Sequence, residues 1–253
     1  MNKFTELNFY DFSYKGKKLS DFGGVVASSQ GLKEYSLLPA RAYVTDRPLN
    51  SDVTNVYSSS LEPRVFEVPI FFEKLSNGTI RNIARWLDSP TPEKFQWVGD
   101  DVYINASLDA TDFIVTSISG KDGLMQIKFI AFDPFYYNEN LTQHTQTLTS
   151  GKTYTYQNNG CEELYPYLTI ACNGTIKLEV VDENGDIYTT TNITNITGGV
   201  IINSETRECT LLSGASHFAY IDSFPVFPNG SFGVKITGNN LSNMSVEYRE
   251  KYL

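Results

Sequence analysis

An apolar strand, Lys128-Phe-Ile-Ala-Phe132, runs into Asp133-Pro134, and no other stretch constrains the fold as much. Proline has no N–H to give to a ladder, so a central strand does not continue through it. Phe132, Phe135, Tyr136 and Tyr137 crowd around Pro134, too many rings to leave loose in water. Before this stop the sequence reads as strands with one helix. After it come a polar, threonine-rich run and then strands alone. The stop is therefore expected to be the seam between two β-rich domains. Residues 1–133 form the first, 134–150 an aromatic seam and linker, and 151–253 the second. The expected class is mainly β: an α+β N-terminal domain built on a sandwich with one helix, then a second β-sandwich.

The 253 residues suit two domains of ordinary size. No segment approaches the roughly 18 apolar residues of a membrane helix. Residues 1–10 lack the apolar centre of a signal peptide, so synthesis without that export route is expected. Cys161, Cys172 and Cys209 are odd in number and contain no CxxC pair, which favours thiols over a disulfide framework. His144 and His217 stand apart, so no metal site is expected. Nine Asn-x-Ser/Thr triplets occur, and without a signal peptide they read as turn and strand-end chemistry.

Net charge is −9. Residues 1–133 carry 14 Lys/Arg against 17 Asp/Glu, and residues 134–253 carry 6 against 12. Nucleic-acid binders neutralise phosphates with clustered basic residues, and no such cluster is present. An acidic surface could repel DNA or line a conduit for it, but it would not grip it.

Along the first half, Lys15-Gly16-Lys17 reads as a turn between apolar flanks, and Leu19 and Phe22 lead into Gly23-Gly24. Residues 33–60 are long, β-forming and polar on both faces, with Pro39 and Pro48 interrupting. A protruding ribbon or inter-subunit arm fits them, centred on residues 35–57 and carried by Tyr35, Arg41, Tyr43, Val44, Val53, Val56 and Tyr57. An ordinary pair of surface loops fits them too. Phe66, Val68, Ile70 and Phe72 share one face of a strand in which Pro69 marks an edge or a bulge. A helix near 77–88, capped by Ser76 or Asn77, places Ile80, Ile83, Ala84 and Leu87 on one stripe with Trp86 at its flank. A hairpin follows, turning at residues 120–123, with Met125, Ile127 and Phe129 facing inward.

In the second half, Gly-containing turns recur at short intervals: Asn159-Gly160, Asn173-Gly174, Asn184-Gly185, Gly198-Gly199, Gly214, Asn229-Gly230 and Gly238. Short β runs separated by such turns are the signature of an antiparallel sandwich.

No catalytic constellation emerges. Asp182-Glu-Asn-Gly-Asp186 begins like a calcium loop, but Gly185 comes one place early and Ile193 stands where the bidentate glutamate belongs, so a hairpin turn is expected. Asp100-Asp101 and Glu162-Glu163 are adjacent and would point to opposite faces of a strand. No serine or cysteine lies in a nucleophile motif. Neither enzyme activity nor a cofactor is expected. No clustered polar set beside an aromatic platform is visible for a carbohydrate.

The landmarks nevertheless follow an order. They are Phe12-Ser-Tyr-Lys-Gly16 with Leu19-Ser-Asp-Phe-Gly23, Arg85-Trp-Leu87, Tyr103-Ile-Asn-Ala106, Phe132-Asp-Pro-Phe-Tyr136, Asn158-Asn-Gly160 with Tyr165-Pro-Tyr-Leu168, and Gly238-Asn-Asn-Leu241. In that order and spacing the chain resembles the distal tail protein (Dit) family of long non-contractile-tailed phages, the siphophage baseplate hub. The resemblance implies a virion structural protein of the tail tip, made in the host cytoplasm, whose N-terminal domain forms a ring of six copies. It implies an arm reaching a neighbouring subunit, placed at residues 35–57, and a galectin-like C-terminal sandwich facing outward. Implied partners are further copies of the chain, the tail tube protein, a tail-tip or tail-associated protein, and peripheral baseplate or receptor-binding proteins. DNA would be passing cargo only, and no membrane is involved. The seam Phe132, Pro134, Phe135, Tyr136 and Tyr137 would join ring to periphery. The alternative is a carbohydrate-binding module acting in host-surface adsorption, since a galectin-like fold does not by itself carry sugar binding.

Overall fold

The computed structural model describes residues 11–27, 39–46, 54–109, 114–117, 122–213 and 219–253. Tyr35, Val53 and His217 lie outside the described residues. The chain divides into two compact units, one running to Tyr136 and taking in Leu253, the other spanning Tyr137–Tyr252.

The first unit begins with β1 (Phe12–Tyr14) and β2 (Lys17–Lys18), joined through Lys15 and Gly16, both at positive φ. A 3-10 turn over Leu19–Phe22 ends at Gly23 (φ 73°) and leads into β3 (Gly24–Val26). Gly24 lies so close to Phe72 and Leu19 that a Cβ there would clash. The unit continues with β4 (Arg41–Asp46), β5 (Asn55–Leu61), β6 (Arg64–Phe72), α1 (Asn77–Leu87), β7 (Glu93–Trp97), β8 (Val102–Leu108), β9 (Ile114–Ser117) and β10 (Gly123–Ala131).

Its antiparallel sheet has the order β2-β1-β7-β8-β10-β6-β3, with β9 also paired to β10. Phe66 on β6 meets Phe95 on β7 with ring centroids 4.9 Å apart, although two strands separate them in the sheet. The sheet therefore curls back on itself around an aromatic core of Phe12, Phe66, Phe95 and Phe129, where edge-to-face and offset contacts add to the area buried.

The β6 alternation holds as the sequence suggests, with Phe66, Val68, Ile70 and Phe72 all buried. Pro69 departs from expectation: it sits opposite Gln126 in an unbroken register with β10, at neither an edge nor a bulge. Its carbonyl accepts from Ala27, so its nitrogen also points away from β10 and no ladder donor is missed. Helix α1 is capped by Ser76, whose hydroxyl accepts from the Thr79 amide at 3.0 Å. Its buried side is Ile83, Trp86 and Leu87, while Ala84 is exposed. Trp86 is core rather than flank, stacked on Phe12 and Phe22, with its indole N–H donating to the Tyr14 carbonyl at 2.7 Å. The large indole buries far more surface than a methyl, which turns the helix toward it.

Across the boundary runs β11 (Tyr136–Asn138). The second unit holds β12 (Thr142–Thr147), β13 (Thr153–Asn158), β14 (Tyr167–Ile170), β15 (Gly174–Val181), β16 (Ile187–Ile196), β17 (Val200–Asn203), β18 (Glu208–Leu211), β19 (Tyr220–Ile221), β20 (Gly230–Gly238), β21 (Asn243–Tyr248) and β22 (Lys251–Tyr252). Two five-stranded antiparallel sheets, β12-β21-β14-β17-β18 and β13-β20-β15-β16-β19, bury an aliphatic core that includes Leu168, Ile170, Ile202 and Val246 from one and Ile176, Leu178, Val234 and Ile236 from the other.

The interval 134–150, expected as seam and linker, contains two strands. One of them, β12, pairs with β21 along its whole length. An edge strand with one half-buried face needs little apolar content, so Thr-Gln-His-Thr-Gln-Thr carries no hydrophobic period to read. The Asp182–Asp186 stretch is a turn: the Asp182 carboxylate accepts from the amides of Asn184 and Asp186, each at 2.9 Å, and Gly185 has φ 86°.

Candidate assembly surface

Among the described residues the ribbon β4–β5 is an antiparallel pair that joins no other sheet. Arg41 lies opposite Leu61, Tyr43 opposite Ser59 and Val44 opposite Ser58. Thr45 then pairs with Val56, so Tyr57 is the extra residue of a bulge. A bulge bends and twists a ribbon, and isolated two-stranded ribbons are marginal in water. Both strands consist almost wholly of exposed residues, and Tyr43, Val44, Val56 and Tyr57 are 58, 62, 60 and 65% exposed. The parity of β4 puts Tyr43 on one face and Val44 on the other, so both faces carry apolar side chains. Exposed apolar residues concentrated on a projecting element mark an interaction surface, whereas scattered ones are ordinary. Five of the seven residues expected on the arm, Arg41, Tyr43, Val44, Val56 and Tyr57, lie on this one ribbon.

The residues expected at the seam behave less uniformly. Pro134 is buried, and Phe135, Tyr136 and Tyr137 are half-buried. Tyr136 packs on the first unit's core, whereas Tyr137 lies in the second unit, where the Lys251 ammonium sits 5.4 Å from its ring. Phe132 contradicts the expected aromatic cluster, being 64% exposed. At the start of β10's continuation, Ala131 occupies the inward position and Phe132 takes the opposite parity.

Sequence reasoning missed Arg64. It is only 4% exposed, its Nε–H donates to the Pro134 carbonyl at 3.3 Å, and its guanidinium lies 4.9 Å from the centroid of Tyr136. The Asp133-Pro134 stop is thus held by a buried cation over an aromatic face. Parity could have found it, because Arg64 shares the inward face with Phe66 and Val68.

Among the described residues no group of three or more His, Cys, Asp or Glu side chains is placed to hold a metal ion, and no helix is long and apolar enough to cross a membrane.

Comparison with known proteins adds to this geometry. The family described as phage tail protein N-terminal domain matches residues 7–131. No curated protein matches the sequence significantly. The crystal structure of the Dit protein of phage SPP1, described as a paradigm of the hub adsorption apparatus of phages infecting Gram-positive hosts, is similar with a TM-score of 0.72. The two share 15% identity, over 96% of this chain and 99% of that one. A chain of the phage p2 baseplate in its activated conformation gives a TM-score of 0.48 at 11% identity, over 95% of this chain and 97% of that one. Residues 7–131 thus match the phage tail protein N-terminal domain family, and the chain as a whole has the fold of a Dit hub protein.

Proposed function

We propose that this protein is the structural hub of a long non-contractile phage tail tip, joining the tail tube to tail-tip and receptor-binding baseplate proteins. The observation that carries this reading is the match of residues 7–131 to a phage tail domain, in a chain that follows the hub fold along nearly its whole length. The role is structural and draws on no catalytic group. In this reading six copies close into a ring through a heterologous interface, the arrangement that generates cyclic assemblies. The β4–β5 ribbon supplies the arm: its apolar side chains, exposed on their own subunit, become buried against a neighbour. Residues 132–137 pass the chain from the ring-forming unit to the one that receives peripheral partners. The virion is its place of action, and the net charge of −9 suits a channel that lets DNA pass without holding it.

Light scattering after size-exclusion chromatography tests the reading. The full chain, alone or with its tail partners, is expected to run as a closed oligomer. Deletion of residues 36–57 is expected to give a monomer with unchanged β-sheet circular dichroism. A full chain that stays monomeric at every concentration and with every tail partner defeats the hub assignment. An oligomer that survives the deletion defeats the arm.

A further inference from the structure

The second unit carries a cleft of about 490 Å³ along one side of its sandwich, where β12 is the edge strand of one sheet and β13 that of the other. Thr142 and His144 line it from β12, Thr155, Tyr156 and Gln157 from β13, and Ser231 and Tyr248 from β20 and β21, with Asn159 and Glu250 at one end. This volume falls in the range of roughly 300–1,000 Å³ typical of small-molecule sites.

Three features give the cleft chemistry. Its rings converge: the His144 imidazole lies 5.3 Å from the Tyr156 ring and 6.1 Å from the Tyr248 ring. Tyr156 is 5% exposed, yet among the described residues its hydroxyl has no hydrogen-bond partner. Buried hydroxyls are normally paired, and one left unpaired at a cavity wall is suited to a ligand's polar atom. The neighbouring Tyr248 hydroxyl, by contrast, donates to the Gln157 carbonyl at 2.9 Å. The polar end is also rigid: the Glu250 carboxylate accepts from the Asn159 backbone amide at 3.0 Å, its side-chain amide at 2.9 Å and the Tyr252 hydroxyl at 2.6 Å. Burial raises the Glu250 pKa, but these bonds outweigh it and hold the group ionised below the ordinary glutamate range. With its backbone N–H and one side-chain N–H given to Glu250, Asn159 keeps its carboxamide oxygen to accept.

The lining contains no lysine or arginine and one fixed carboxylate, so an anion is repelled. Hydroxyls and amides on most sides disfavour a purely apolar ligand. We infer that this edge cleft binds a neutral saccharide, with Tyr156 and Asn159 meeting sugar hydroxyls and the His144 ring forming the apolar wall. The inference does not rest on the hub reading, because sugar binding and ring assembly have separate readouts and either can fail alone.

Saturation-transfer NMR on the full chain tests it, with glucose, galactose and N-acetylglucosamine offered singly and glucose 6-phosphate as the charged control. Transfer to at least one neutral sugar, and much weaker transfer to the phosphate, is expected. Tyr156→Phe keeps the ring and removes only the hydroxyl, so it should weaken binding about tenfold without lowering the melting temperature. His144→Ala should abolish the signal. The inference fails if none of the three sugars receives saturation, if glucose 6-phosphate binds as well as glucose, or if either variant binds like the parent.

Discussion

Strands β5 and β6 are separated by two residues and are both paired antiparallel, yet they differ completely in burial. Along β6 every second side chain enters the core, whereas along β5 only Leu61 is even partly covered. Hydrogen-bonded regularity is therefore not what distinguishes core strand from exposed ribbon here. What differs is whether a second layer of side chains lies over the strand. The curled sheet covers β6, whose Phe66 packs on Phe95 and Phe129. Among the described residues nothing comparable covers β4–β5, and its tyrosines and valines stay exposed.

The contrast can be broken first at the core. Phe129 is fully buried and touches the rings of Phe12, Tyr14, Phe66 and Phe95. Phe129→Ala is expected to cost about 3–5 kcal/mol in denaturant unfolding of the first unit. A loss below 1 kcal/mol would remove the distinction between β6–β10 and the ribbon.

A smaller effect is expected at the helix that covers the sheet. Ser76→Ala deletes the cap on the Thr79 amide and should cost about 1 kcal/mol by the same measurement. Glu179 in the second unit comes next. Hydrogen bonds from Lys177 at 2.6 Å, then from Lys235 at 3.2 Å, hold its pKa below the ordinary 4.5 despite some opposing burial. A carboxylate whose folded pKa is depressed stabilises the fold above the unfolded pKa, and this is lost as pH falls through the folded one. Glu179→Gln should therefore leave a gap from wild type of a few tenths of a kcal/mol, at most about 1, at pH 7. The gap should shrink as the pH is taken below 4.5, and a gap that widens on acidification would overturn this account.

The smallest effect on folding sharpens the comparison most. Tyr43→Ser with Val56→Ser changes two exposed side chains and should shift unfolding by less than about 0.5 kcal/mol. The same double variant should lose the oligomer in light scattering. If it destabilises the monomer by several kcal/mol, the ribbon packs on its own subunit and is no arm.

Much of the architecture is readable locally. The turn at Lys15-Gly16, the cap at Ser76, the alternation of Phe66 to Phe72 and the Asn-Gly turns of the second unit each follow from backbone conformation or from period. The β4–β5 ribbon is readable too, because its length, prolines and two-sided polarity fit no covered element. Arg64 was harder, since an arginine gives no apolar signal even when its parity points inward. Strand β12 was invisible for a similar reason: a polar edge strand owes its existence to Asn243–Tyr248, some hundred positions away.

The edge cleft marks the same division. Alone, His144 is an isolated histidine in a threonine-rich run, and Tyr156 and Tyr248 are inward residues of two strands. The mainly β class, the turns and the inward faces of single strands were legible in the sequence, because these depend on backbone conformation and alternation within a few residues. Only the tertiary structure decided that Arg64 holds Pro134, that Phe132 faces water, and that His144, Tyr156, Tyr248 and Glu250 share one wall. Those juxtapositions depend on which strand becomes an edge, and that is set by pairings between residues far apart in the chain.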